Sequence, residues 1–383
     1  MSDDSSRTNL ISAIADNIKQ ASTQALDISF NELLDMATNK ELNIAPDYQR
    51  LFRWTEGQRS RFIESLLLEM PVPPIFVIEE DDGKYQLIDG LQRFSSYLHL
   101  RGKLTAPHLP IPVSEGNMLR LSDCDIVKDL NGLTFLEFPT TLQIRVKRAF
   151  IRMEVIRKET NPQFKYHMFK RLNTGGDRLS DQQVRNATIR LLDSNFPDFI
   201  IRLSGLPPFK KCVENLTSEQ RLSSFDQELV LRFFALKNRR EKFKHDISDF
   251  LTDYMEDVAD PTKPEAFNYS NEEAIFIKTF EALNRTLADY SFALVNRAKN
   301  AKSDFTASFG IYHFESITIG LQSIINRISL DDQTQMKKLE QELTAIKLDP
   351  TFIGITTGGG KNSPGLLAQR IDHVSERLIN AFP

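Results

Sequence analysis

The chain has 383 residues, of which 40% are hydrophobic and 26% charged, which is enough for two domains with self-sufficient cores and excludes disorder as the main state. Its two cysteines, Cys124 and Cys212, exclude a disulfide framework and a four-cysteine zinc site, and fit buried thiols in a reducing compartment. A net charge of −4 excludes a surface that is basic throughout, and no apolar run reaches bilayer length.

Residues 1–24 read as a polar lead-in, with one short helix expected around Leu10 to Ile18. The start, Met1-Ser2-Asp3-Asp4-Ser5-Ser6, lacks the apolar stretch of a signal peptide, so a cytoplasmic, membrane-free location is expected. Residues 25–190 are expected to form the first domain, beginning at Asp27-Ile28-Ser29-Phe30. Pro46-Asp47-Tyr48-Gln49-Arg50-Leu51-Phe52-Arg53-Trp54 leads into a helix carrying Gln58, Ile63, Leu66, Leu67 and Met70. Pro71-Val72-Pro73-Pro74 then closes that helix. Ile75-Phe76-Val77-Ile78 reads as a strand, and Asp81-Asp82-Gly83 as a hairpin turn into a second strand, Tyr85 to Ile88.

The next stretch carries the most chemistry. Ile88-Asp89-Gly90-Leu91-Gln92-Arg93 is a strand that opens into a helix, because Phe94, Tyr97 and Leu98 recur at helical spacing. Asp89 is the expected N-cap, with Arg93 in the first turn. A helix N-terminus favours phosphate, an adjacent Asp can hold a metal ion or orient water, and an Arg can clamp phosphate with two hydrogen bonds. The plainer alternative is an ordinary strand–turn–helix, with the carboxylate and arginine in a structural ion pair.

Residues 103–141 form a loop-rich insertion punctuated by Pro107, Pro110, Pro112 and Asn131-Gly132. A helix from about Leu142 to Arg148 precedes the strand Phe150 to Ile156, whose partial alternation suits a half-buried position. Arg145, Lys147, Arg148 and Arg152 concentrate positive charge here, read either as a nucleic-acid-binding strip or as a solvated face. A helix around Pro162 to Leu172 delivers Arg171 and then Asn173-Thr174-Gly175-Gly176, followed by Leu179-Ser180-Asp181-Gln182-Gln183-Val184-Arg185-Asn186.

Residues 191–383 are expected to be all-helical. Three apolar stripes support this: Leu222 to Leu236, Ile275 to Phe292, and Leu339 to Ile346. A second basic group, Lys237, Arg239, Arg240, Lys242 and Lys244, reads as a solvated face. Thr356-Thr357-Gly358-Gly359-Gly360-Lys361 is a connector, since a phosphate loop needs a hydroxyl where Asn362 stands. The six histidines show no zinc spacing.

Three ordered blocks resemble the GmrSD restriction-enzyme N-terminal domain family, a ParB/sulfiredoxin-like group. They are Tyr48-Gln49-Arg50 with Trp54, Asp89-Gly90-Leu91-Gln92-Arg93, and Arg171-Leu172-Asn173-Thr174-Gly175-Gly176. The resemblance covers roughly residues 25 to 190. It implies an α+β, ParB/sulfiredoxin-like first domain, ahead of the helical one, in a nucleotide-binding component of a bacterial anti-phage or restriction system acting on foreign DNA.

In such a site Asp89, Gln92 and Arg93 belong to nucleoside-triphosphate hydrolysis, with Asp89 holding Mg²⁺ or orienting water. Arg93 and Arg171 neutralise phosphates. Tyr48, Gln49, Arg50, Gly90, Asn173, Thr174, Gly175 and Gly176 contact the nucleotide, and Tyr48 or Trp54 stacks on a base. Leu91 replaces the first Gln of the family's Asp-Gly-Gln-Gln-Arg and can make no side-chain hydrogen bond. If Leu91 lines the pocket, the favoured expectation, hydrolysis is weakened; if it is core, the change is trivial. No His-Asn-His nuclease block follows residue 190, and His313-Phe314-Glu315 lacks its companions. The expected partners are therefore a nucleotide, DNA, a separately encoded nuclease or effector, and a second copy of the chain. The alternative is a non-enzymatic DNA-binding or adaptor protein with a degenerate hydrolase site.

Overall fold

The computed structural model describes residues 14, 22–44, 52–109, 111–161, 164–165, 168, 171, 180–190, 192–244, 246–260, 267–296, 304–358, 360 and 362–383. The chain divides into two compact units, Met1–Arg178 and Leu179–Pro383. Most of the lead-in helix expected at 10–18 lies outside the described residues, as does most of the one expected at 162–172.

The first unit is built on a five-stranded mixed sheet. Its strands are β1 (Thr23–Ser29), β2 (Leu42–Asn43), β3 (Ile75–Glu79), β4 (Tyr85–Asp89) and β5 (Phe150–Ile156), in the order β1-β5-β3-β4-β2. β1 runs antiparallel to β5 from Thr23↔Ile156 to Ser29↔Phe150, and β5 runs parallel to β3. In β5, Ile151, Met153 and Val155 are buried while Phe150 and Arg152 are exposed, the period-two pattern of a strand with one covered face. β3 and β4 form the expected hairpin, whose turn places Asp82 at φ 64° and Gly83 at φ 72°.

Helices α1 (Phe30–Thr38), α2 (Glu56–Leu67), α3 (Leu91–Leu100) and α4 (Thr140–Arg148) complete this unit. Ser29 caps α1, and Thr55 with Gln58 forms a reciprocal capping box on α2. Phe30, Ile63, Phe94, Tyr97 and Val146 are completely buried, with the Phe30 ring 5.2 Å from Tyr97 and 5.9 Å from Phe62. α2 stops at Leu67, short of Met70, because Glu69 turns at φ 57°; Met70 is therefore exposed instead of completing the helical stripe. The insertion at 103–141 contains two 3₁₀ turns, Lys128–Leu130 and Phe135–Glu137. Glu64, buried on α2, pins it by accepting from the amides of Ile126 (3.1 Å) and Val127 (2.6 Å).

The second unit is helical: α5 (Asp181–Ile189), α6 (Asn195–Ser204), α7 (Pro207–Cys212), α8 (Ser218–Leu222), α9 (Phe225–Arg239), α10 (Ile247–Ala259), α11 (Tyr269–Thr286), α12 (Ile311–Gly320), α13 (Gln333–Leu348), α14 (Pro350–Thr356) and α15 (Pro364–Ala381). One two-stranded antiparallel ribbon, β6 (Ala293–Val295) with β7 (Phe305–Phe309), interrupts what the sequence presents as all-helical. Its core is aromatic, with Phe233, Phe276, Phe280, Phe292 and Phe314 buried in mutual contact. A buried ion network crosses this core. Glu228 meets Arg185 (3.4 Å) and Arg232 (2.9 Å), and Glu315 meets Arg232 (2.7 Å) and Arg370 (2.5 Å). Among the described residues no helix is long and apolar enough to cross a membrane.

Candidate functional site

β4 delivers Asp89 to the point where α3 begins. The cap is Gly90 and not Asp89, because β3–β4 pairing holds Asp89 in the strand opposite Phe76, and the turn falls one residue later. Gly90 sits at φ 102°, and a Cβ there would lie 2.2 Å from Ile75 Cγ2, so both the backbone and the packing demand glycine. Freed from capping, the Asp89 carboxylate accepts from Arg93 at 2.7 Å, and the same guanidinium nitrogen donates to Pro74 O at 2.9 Å. Arg93 Nε is buried and meets no acceptor among the described residues. The Arg93 side chain is only 15% exposed and the Asp89 side chain 35%. Asp89 and Arg93 are thus an internal ion pair whose carboxylate still reaches the surface. Leu91 is 4% exposed. The pocket position expected for it is corrected: its side chain is core.

Gln92 faces the other way. Its Oε1 accepts from the backbone N–H of Arg53 (3.1 Å) and Trp54 (3.2 Å), which ties the Asp-Gly-Leu-Gln-Arg turn to the segment following Tyr48-Gln49-Arg50. That segment is gripped from two further sides. Arg59 Nε donates to Trp54 O at 2.8 Å, and its guanidinium stands 4.8 Å over the Phe52 ring. His108 Nε2 donates to Phe52 O at 3.1 Å. The Trp54 ring packs edge-on against Phe62 at 5.8 Å, so its indole is partly covered.

Arg59 also reaches His99 Nδ1 at 3.1 Å. Since a guanidinium can only donate, that nitrogen accepts and the His99 proton sits on Nε2. Burial, then the positive charge of Arg59, push His99 down to about 4. Burial likewise lowers the Arg59 guanidinium, partly offset by Glu56.

The structure therefore brings together Asp89, Gly90, Gln92 and Arg93 with the Phe52–Thr55 segment. Tyr48, Gln49, Arg50, Asn173, Thr174, Gly175 and Gly176 lie outside the described residues. Arg171 is described and exposed. Sequence reasoning missed Arg59, His99 and His108. Arg59 was visible in principle: it stands four and seven residues before Ile63 and Leu66, a cation on the buried stripe of α2.

The basic group divides. Arg145, Arg148 and Arg152 line a cavity of about 930 Å³ whose floor includes Met70, Val72, Ile144 and Phe150. Phe150 is 68% exposed there. Arg145 lies 3.7 Å from Glu69, and Arg152 lies 2.9 Å from Glu154 and 3.7 Å from Asp27. Lys147 instead stands 5.7 Å over the Phe135 ring, against the 103–141 insertion. In the second unit Lys237 pairs with Glu272 at 2.9 Å and Arg239 with Asp257.

Other chemistries find little footing. Among the described residues no three His, Cys, Asp or Glu side chains gather as a metal site. Burial raises Cys124 to about 11 and Cys212 to about 12, keeping both protonated and unreactive. His313 is buried, bonded to Ala293 O, and pushed down to about 3 by burial and then by Lys347. Glu315 is buried in the ion network.

A mixed sheet with a strand–glycine–helix turn, tied by Gln92 to the backbone of Arg53 and Trp54, defines the class: an α+β domain. Residues 30–190 are similar to the GmrSD restriction endonuclease N-terminal domain family, and the likeness stops there. No curated protein and no solved structure matches the chain.

Proposed function

We propose that the chain is a nucleotide-binding component of an anti-phage restriction system, with the Asp89–Arg93 turn at the phosphate end of its site. The observation that carries this reading is the hydrogen-bonded junction of two family blocks, Gln92 with Arg53 and Trp54, beside the Gly90 turn. α3 begins at the Gly90 cap, and its N-terminal dipole adds favourable charge for a phosphate at this end.

In this reading Arg93 holds the Asp89 carboxylate in place more than it clamps phosphate, because its NH2 group is shared between Asp89 and Pro74 O. Asp89 offers one carboxylate, too few for a metal cage built from protein alone. Mg²⁺ is commonly held by one or two carboxylates together with substrate phosphates, so Asp89 would be the protein ligand of an ion bound with the nucleotide, which would supply charge neutralisation at the phosphates. Arg171 and the Asn173–Gly176 block, together with Tyr48–Arg50, complete the phosphate and base contacts. DNA cleavage falls to a separately encoded nuclease.

Equilibrium titration of labelled ATP and GTP, with and without Mg²⁺, against wild-type protein and Asp89→Ala tests this. The variant is expected to bind at least tenfold more weakly; equal affinity overturns the site. Phosphate release, measured separately, decides hydrolysis.

A second reading has its own support in the Arg145–Arg148–Arg152 cavity with Phe150 exposed on its floor. Arginines beside an accessible ring suit phosphates and bases, and favour a DNA-binding adaptor with a silent nucleotide site. Its signature is DNA affinity that falls with salt by about 0.9 log units per log unit for each phosphate neutralised, with no phosphate release.

A further inference from the structure

Arg59 is 4% exposed on α2 and makes no ion pair among the described residues. Burying a guanidinium in this way is costly unless its donors are put to use. Here they converge on one short stretch of chain and its support. Nε binds Trp54 O, the guanidinium face covers Phe52, and NH1 binds a histidine whose burial keeps it neutral and accepting. From the opposite side Gln92 takes the two N–H groups of Arg53 and Trp54 on a single oxygen. Consecutive residues of one segment are thus held by side chains from two helices, largely through their backbone.

We propose that Arg59 and Gln92 are positioning residues that clasp the Phe52–Trp54 segment beside the Asp89–Arg93 turn. The inference rests on reading that turn as the phosphate site. It also moves Gln92 from the hydrolytic machinery to support: the working atom of Gln92 is its carbonyl oxygen. The planar fork of Arg59 serves carbonyl, ring and imidazole at once, which a lysine ammonium cannot do.

Trp54 is the chain's single tryptophan, so its fluorescence reads the clasp directly. The full-length protein is compared with Arg59→Lys, Gln92→Ala and Gln92→Glu, recording acrylamide quenching of Trp54, amide exchange at Arg53 and Trp54, and affinity for ATP. Gln92→Glu retains an oxygen acceptor for both amides and is expected to keep quenching and exchange near wild type. Gln92→Ala and Arg59→Lys are expected to raise quenching at least twofold, speed exchange at least tenfold, and weaken ATP binding at least tenfold.

Wild-type quenching and exchange in a folded Arg59→Lys or in Gln92→Ala overturns the clasp. So does Gln92→Glu binding ATP as poorly as Gln92→Ala with exchange unchanged, since Gln92 would then touch the ligand itself. If Arg59→Lys does not fold, the two Gln92 variants decide. If the wild-type protein binds neither ATP nor GTP, the nucleotide reading falls alone, while quenching and exchange still judge the clasp.

Discussion

Replacing Leu91 by Gln restores the family's Asp-Gly-Gln-Gln-Arg and asks whether this residue is what separates the chain from an active hydrolase. The structure gives a definite answer. Leu91 is the first residue of α3 and is 4% exposed, so the exchange loses most of a buried leucine's transfer energy, about 1.5–3 kcal/mol. It also places a primary amide among apolar atoms, costing about a further 1–3 kcal/mol if unpaired. The expected loss is therefore roughly 2.5–6 kcal/mol. At about 2–4 °C per kcal/mol for a unit of this size, its melting temperature drops by on the order of 5–25 °C. Differential scanning calorimetry run alongside phosphate release from ATP and GTP checks this, with turnover expected to stay flat or fall. A variant that melts at the wild-type temperature and releases phosphate faster refutes the reasoning and returns Leu91 to the pocket.

Three further outcomes follow from the geometry. Gly90→Ala forces a φ of 102° on a residue with a Cβ and drives that atom to 2.2 Å from Ile75 Cγ2, costing about 2–4 kcal/mol; an unchanged urea midpoint contradicts it. Glu315→Gln strips the shared carboxylate from Arg232 and Arg370 and is expected to destabilise the second unit by roughly 3–5 kcal/mol, read as a lower denaturant midpoint with the slope retained. His99 and His313 sit near 4 and 3 when folded, against 6.5 when exposed, so the unfolded chain binds more protons between those values. Their contribution is whole above pH 6.5 and is lost as pH falls toward 4 and below; a melting temperature flat from pH 7 to 4.5 counts against it.

Elements governed by local pattern were legible in the sequence. β5 showed itself through its alternation, the β3–β4 hairpin through Asp82-Gly83, and the helix after Asp89 through Phe94 and Tyr97. Features set by tertiary register were not. Nothing local distinguishes Asp89 from Gly90 as the cap, because β3 decides where β4 ends. The bond from Gln92 to Arg53 and Trp54 spans 39 and 38 residues, and periodicity carries no such information. Leu222 fits the stripe of the following helix, yet Ser224 at φ 58° breaks the chain between them and leaves Leu222 half exposed. β6 and β7, three and five residues long, are too short to stand out from helical surroundings.

The family match runs to residue 190, but its last helix keeps other company. Arg185 of α5 is 2% exposed and bonds Ser248 O (2.9 Å), Thr252 Oγ1 (3.0 Å) and Glu228, while Gln183 bonds Leu222 O (2.7 Å). A fragment ending at 190 therefore carries a helix cut from every one of these partners, with a guanidinium shaped for a polar niche that is no longer there. By its contacts α5 falls in the second unit, which begins at Leu179. Recombination or engineering that grafts the matched stretch onto a new effector has to bring α10, the start of α9 and the end of α8 along, or leave α5 behind.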